Sequence, residues 1–200
     1  MNRHACRWLC AAALALSLSP VSLAQERKVF NIAFANAETT IDPVQASDLY
    51  SRTITAHIFE ALYTYDHLAR PAKPKPLIAD GMPVPSDGFR TWTVKLKPGI
   101  YFHDDPALKG KKREVTAQDF VYPFQRIADP ANRSPLWSWI ETFQLLGLAE
   151  QRQAALEGKQ SFDYDAPLEG LKAIDRYTIQ YKLKEPRPRL ITSILTGSDL

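Results

Sequence analysis

Residues 86–105 read SDGFRTWTVKLKPGIYFHDD. How this stretch is read decides how the chain folds. Ser86-Asp87-Gly88 is a turn signal, because Asp bonds nearby backbone and Gly accepts a left-handed conformation. Thr91 to Leu96 then alternates strictly. That period predicts a strand with Trp92, Val94 and Leu96 on one face and Thr91, Thr93 and Lys95 on the other. Pro98-Gly99 turns the chain, and Ile100 to Phe102 predicts a second short strand. His103-Asp104-Asp105 comes next. A histidine beside two carboxylates has the composition of a metal ligand set or an acid/base cluster. A metal site, though, needs three or four converging ligands, and neighbouring side chains on an extended chain diverge. Asp also favours turns. The triplet is therefore read as the end of a strand opening into a loop. The alternative is a secreted hydrolase or metal-dependent enzyme built on His103, Asp104 and Asp105.

Upstream, Val29 to Phe34 (VFNIAF) alternates partway and predicts a buried strand. Asp42-Pro43 ends that unit, since proline restrains itself and the residue before it. A helix is predicted from Ser47 or Asp48, either of which can cap it. Ile54, Ile58, Phe59 and Leu62 recur along it at helical spacing. RPAKPKPL (residues 70–77) is proline-rich and predicts an extended surface crossing.

Downstream, KGKKR (residues 109–113) predicts a solvated loop tip. In VTAQDFVYPFQRIADP (residues 115–130), Thr116 and Asp119 have the spacing of a variant capping box. Phe120, Val121, Phe124, Ile127 and Ala128 make one apolar stripe. Pro123 inside that helix predicts a kink, because it removes a hydrogen bond. Residues 134–148 (SPLWSWIETFQLLGL) predict a helix with Pro135 in its first turn. Residues 162–167 (FDYDAP) predict a loop, and Arg176 to Leu183 (RYTIQYKL) a further strand.

The first 24 residues have the order of a secretory signal: a basic start (Arg3, His4, Arg7), an apolar run from Trp8 to Leu18, and Ser22-Leu23-Ala24 as a small-residue cleavage site. The run is too short to span a membrane, which takes about 20 apolar residues. Both cysteines, Cys6 and Cys10, fall inside this signal. The remainder has no thiol for disulfides, thiolate metal sites or cysteine nucleophiles, as suits a bacterial periplasm. The formal net charge of +3 over 200 residues gives no general reason to expect nucleic acid or an anionic membrane as a partner. No G-x-S-x-G, H-E-x-x-H or phosphate-cradling glycine loop is present. The chain stops at TSILTGSDL, with Leu190, Ile191, Ile194 and Leu195 spaced like the start of a buried helix that nothing follows. The expectation is a fragment of a longer protein.

IDP (41–43), IFEALYTYD (58–66), SDGFRTWTVKLKPGIYFHDD, VTAQDFVYPFQRIADP and GLKAIDRYTIQYKLKEP (170–186) follow in that order. Together they resemble the N-terminal part of the periplasmic solute-binding proteins of oligopeptide and dipeptide ABC importers, family 5 type, from about Ile32 to Pro188. Three departures stand out: Asp105 where the family usually has glycine, with a turn enlarged by PALKGKKRE (106–114); Pro123; and a length less than half of that common in the family. The resemblance implies an α/β fold, the incomplete N-terminal portion of a two-lobed binding protein, with a mixed sheet, flanking helices and an inserted subdomain. It implies a signal peptide over 1–24, the start of lobe I over 25–63, a subdomain over 64–174, and a return to lobe I over 175–200. It implies a monomeric, non-catalytic periplasmic protein without cofactor. Such a protein captures a peptide or similar small solute between two lobes and delivers it to a membrane permease. Ligand contacts would fall on Ala46, Ser47, Asp48 and Leu49, and on Leu136 and Trp137. Asp48 suits a ligand amine and equally a helix cap. Trp137 suits an apolar wall and equally core packing.

Overall fold

The computed structural model describes residues 28–158 and 161–197. The signal sequence expected over residues 1–24 lies outside the described residues. The chain divides into two units, residues 1–34 and 35–200. Within the first, residues 28–34 are irregular and exposed. The strand expected at Val29–Phe34 is not formed. Alternation makes a strand only where a ladder accepts it, and this stretch enters neither sheet of the described residues.

In the second unit the chain opens with helix α1 (Leu49–Ile58), capped by Asp48. Its expected apolar face is buried only in part: Ile54 is half-buried and Leu62, just beyond the helix, joins the core. Ser51 and Thr55 are the buried residues of the helix, whereas Leu49, Ile58 and Phe59 are exposed. Ser51 turns inward because its hydroxyl accepts from the backbone N–H groups of Thr39 (3.0 Å) and Thr40 (3.2 Å). Strands β1 (Tyr63–Asp66) and β2 (Lys73–Pro76) then form an antiparallel hairpin. The proline-rich crossing is thus a paired edge strand, a place where proline is tolerated.

The main sheet holds β3 (Val84–Ser86), β4 (Thr91–Lys95), β5 (Leu171–Asp175) and β6 (Thr178–Lys182) in the order β3-β4-β6-β5. Every pairing among these described strands is antiparallel. The turn before β4 is a short 3-10 segment, Asp87–Phe89, where Gly88 takes a positive φ of 56°. β4 pairs along its whole length with β6, Trp92 opposite Tyr181 and Val94 opposite Ile179. The boundary expected at 174/175 lies at the end of β5, inside the β5–β6 hairpin.

Helix α2 (Gln118–Ala128) lies against β5 and β6. Its stripe of Phe120, Val121, Phe124, Ile127 and Ala128 is buried with Trp92, Val94, Leu96, Ile179 and Tyr181 in one core. Phe124 meets Tyr181 edge-on at 6.0 Å. The helix continues through Pro123. Asp119 Oδ2 accepts from the Thr116 N–H (2.8 Å) and hydroxyl (2.9 Å), which closes the entry to the helix.

Residues 134–148 do not form a single helix. They give a short α3 (Trp137–Glu141), then a break, then α4 (Leu148–Leu156). The break is set by the sheet. Leu145 bridges Leu183, the Leu146 N–H donates to the Lys182 C=O (3.1 Å), and the Lys184 N–H donates to the Gln144 C=O (3.0 Å). Gln144 and Gly147 take positive φ values to reach this path. The segment at the end of the chain, α5 (Leu190–Ser193), is the short buried helix expected there. Leu190, Ile194 and Leu195 are packed within the same core, and the Tyr63 N–H donates to the Leu195 C=O at 3.0 Å.

Residues 100–115 form a closed arm. The Val115 N–H donates to the Ile100 C=O (2.8 Å), Tyr101 bridges Glu114, and the Phe102 N–H donates to the Arg113 C=O (2.9 Å). Glu114 holds the base of the arm. It accepts from the Gly99 N–H (2.8 Å), the Tyr177 hydroxyl (2.8 Å) and Arg176 (2.7 Å). Arg176 first, then the Gly99 N–H and Tyr177, hold its carboxyl down at about 2, against an ordinary value of 4.5. A depressed folded-state value stabilises the fold fully above the unfolded value and loses that contribution as pH falls towards the folded one. Glu114→Gln is therefore expected to flatten the loss of stability between pH 4.5 and about 2. Urea midpoints at the two ends of that window, for both proteins, check this. Parallel acid limbs would refute the role of Glu114.

Candidate functional site

Asp42 and Asp129 each precede a proline, and each organises its own turn. Asp42 Oδ1 accepts from the Val44 N–H (3.2 Å), and Asp129 Oδ1 accepts from the Ala131 N–H (2.9 Å). The two turns are clamped together. Arg126, projecting from α2, donates to both oxygens of Asp42 at 3.0 and 2.6 Å. This bidentate pair holds the Asp42 carboxyl below the usual carboxylate range. The Ser134 hydroxyl donates to the Val44 C=O at 2.5 Å and accepts from the Leu136 N–H at 3.2 Å. Gln45 Nε2 donates to the Asn132 C=O at 3.3 Å.

These contacts join the turn of residues 42–45 to the segment 126–134, although 90 residues separate Val44 from Ser134 in sequence. The six sequence-predicted residues are not equally accessible. Ala46 is fully buried and Leu136 nearly so, at 0% and 8% exposure, while Leu49 is 73% exposed. Ser47 is exposed, and Asp48 and Trp137 are partly buried. Asp48 Oδ1 accepts from the N–H groups of Tyr50 (3.0 Å) and Ser51 (2.9 Å), and Thr39 donates its hydroxyl to Oδ2 at 2.6 Å. The Ser51 side chain first, then these donors, keep the carboxyl well below its ordinary range. Asp48 is thus an anion that already caps α1. The Arg152 guanidinium lies 4.8 Å from the centre of the Trp137 ring and donates to the Ala128 C=O at 2.8 Å. That leaves Trp137 with one face covered by a cation.

A second layer supports the clamp. The Tyr164 hydroxyl donates to Asp129 Oδ2 (2.7 Å) and accepts from Asn132 Nδ2 (3.1 Å). Burial first, and then the Asp129 carboxylate, push Tyr164 up to about 12. Asn132 Nδ2 also donates to the Arg126 C=O at 2.8 Å. From the sequence, Asp42 and Asp129 read only as stops of the elements before them, and Arg126, Ser134 and Asn132 do not stand out. The repeated Asp-Pro turn is the one signal that points to them.

His103 and Asp104 are exposed on the arm, and Asp105 is occupied as the cap of a 3-10 turn, accepting from the Ala107 N–H at 2.8 Å. Among the described residues no group of three His, Cys, Asp or Glu side chains could hold a metal ion.

Residues 73–198, more than half of the chain, match the family model for bacterial extracellular solute-binding proteins, family 5 Middle. The chain is 33% identical over 129 residues to the glutathione-binding protein GsiB of Pectobacterium atrosepticum, covering 64% of this chain and 22% of that protein. It is 32% identical over 149 residues to the periplasmic oligopeptide-binding protein OppA of Escherichia coli, covering 74% and 24%. Among solved structures, Haemophilus influenzae OppA in complex with RPPGFSPFR superposes with a TM-score of 0.61 at 26% identity, over 80% of this chain and 28% of that one. The pheromone receptor PrgZ gives 0.57 at 29% identity, over 80% and 27%. This chain spans about a quarter of the length of these relatives. The α/β architecture is accordingly part of a periplasmic-binding-protein fold. Members of this family are binding proteins rather than enzymes, and the chain belongs to it: the family 5 bacterial extracellular solute-binding proteins.

Proposed function

We propose that this protein is the non-catalytic solute-capturing component of an ABC importer. It binds a peptide or similar small solute between two lobes and presents it to a membrane permease. It acts as a monomer in the periplasm, reached through the N-terminal signal, and takes no nucleic acid. The observation that supports this reading is the clamp: Arg126–Asp42 and Ser134–Val44 hold together the two turns that lead into residues 46–49 and 136–137. On this reading the exposed Ser47 and Leu49 and the partly buried Asp48 and Trp137 face the ligand, whereas Ala46 and Leu136 are buried. Residues 25–63 and 175–200 are assigned to lobe I and residues 64–174 to a subdomain beside it. The similarity to an oligopeptide-binding protein, OppA, and a glutathione-binding protein, GsiB, supports a peptide or peptide-like ligand.

The test is calorimetric titration of the full-length protein with trialanine, tetraalanine and glutathione. Asp48→Asn removes the charge but keeps the cap, since Asn caps as well as Asp. Asp48→Asn and Trp137→Ala are each expected to weaken binding by about ten-fold or more, the scale of a lost charge-assisted or aromatic contact. His103→Ala is expected to leave affinity unchanged. Full affinity in both wall variants, or no binding of any of the three ligands, would overturn the reading.

A further inference from the structure

The arm of residues 101–113 carries four cations (Lys109, Lys111, Lys112, Arg113) against two carboxylates. One of those, Asp105, is committed to a backbone turn. Arg113 pairs with Asp119. Among the described residues, Lys109, Lys111 and Lys112 have no ion-pair partner. The arm is an ordered, closed loop. Its neck is fastened by the Phe102–Arg113 bond and the Tyr101–Glu114 bridge. Its tip is shaped by the Pro106–Leu108 turn, by Lys109 and Gly110 at positive φ, and by the Lys111 N–H donating to the Leu108 C=O.

Two half-exposed rings stand at the neck: Tyr101 at 51% and Phe102 at 41% exposure. Lys112 Nζ lies 5.9 Å from the Tyr101 ring centre and Arg113 Cζ lies 4.2 Å from that of Phe102. Rings roofed by cations are poor stacking platforms for bases, which need an open face. Aromatic bodies beneath lysine heads suit a lipid headgroup layer, where the stem stays apolar and the charge meets phosphate.

We propose that this arm is a docking surface for anionic phospholipid headgroups, reached through Lys109, Lys111 and Lys112 with Tyr101 and Phe102 at the interface. It lies outside the ligand wall and does not depend on the ligand assignment. The three lysines attract an anionic surface within a Debye length, so the contact is weakened by salt.

The experiment is co-sedimentation of the whole protein with vesicles of phosphatidylcholine and phosphatidylglycerol in equal parts, and with phosphatidylcholine alone. Binding to the mixed vesicles at low salt, lost at high salt and lost on the neutral vesicles, is expected. Combined Lys109→Ala, Lys111→Ala and Lys112→Ala should weaken it on the order of 100-fold, with an unchanged melting temperature because all three side chains are exposed. Equal binding to neutral vesicles, an unaffected triple variant, or no sedimentation at low salt would each overturn the proposal.

Discussion

Gly170→Ala is expected to destabilise the fold by about 3 kcal/mol, the upper end of the cost of overpacking. A Cβ at this position would lie 2.2 Å from the Leu146 nitrogen, 2.6 Å from its oxygen and 2.7 Å from the Leu145 carbonyl carbon. All three are backbone atoms, so no rotamer change can make room. The crowding is where three segments are sewn together. The Gly170 N–H donates to the Leu146 C=O at 2.7 Å, and the Lys182 N–H donates to the Gly170 C=O at 2.8 Å. Moving one strand to admit a methyl would stretch both bonds. A loss of about 10 °C in melting temperature is expected at this chain length. Gly158→Ala provides the contrast: its Cβ would meet nothing within 4 Å, although its φ of +73° carries backbone strain. If Gly170→Ala melts no lower than Gly158→Ala, the close approach at Leu146 is wrong.

Phe124→Ala is expected to cost about 3–5 kcal/mol, combining lost transfer energy with the cavity left behind. Phe124 is 2% exposed and packs edge-on against Tyr181, which is itself 1% exposed. The pair joins α2 to β6, so truncation opens the joint of helix and sheet. Phe124→Leu keeps most of the volume and is expected to cost about 1.5 kcal/mol or less. Urea unfolding, with the slope compared as well as the midpoint, reads both. Equal midpoints for wild type and Phe124→Ala would remove Phe124 from the centre of the core.

The elements legible in the sequence are those whose pattern and burial agree. β4 alternates and does bury Trp92, Val94 and Leu96; α2 carries its stripe inward despite Pro123. Two elements were not legible for one reason: their partners decide them. Val29–Phe34 has the pattern of a strand but joins no sheet among the described residues. Residues 142–147 continue a helical pattern, but Gln144 and Leu146 bond instead to the backbone of Lys184 and Lys182. In α1 the apolar spacing pointed to the inward side but not to its buried residues: Ser51, which satisfies two backbone donors, and Thr55 are buried there while Ile58 is exposed. At the site, the segments 46–49 and 136–137 were indicated only through a family resemblance. Arg126, Ser134 and Asn132 left no local pattern, since a polar side chain that bridges distant turns has no period.

The sequence by itself determined the core strand and helix and the family, because these rest on periodicity and ordered motifs within short windows. Only the tertiary structure decided which residues on the inward side of α1 are buried, where residues 134–148 break, and that the two Asp-Pro turns are clamped together. Those outcomes depend on hydrogen-bond partners contributed by segments tens of residues away, and chain proximity carries no record of them.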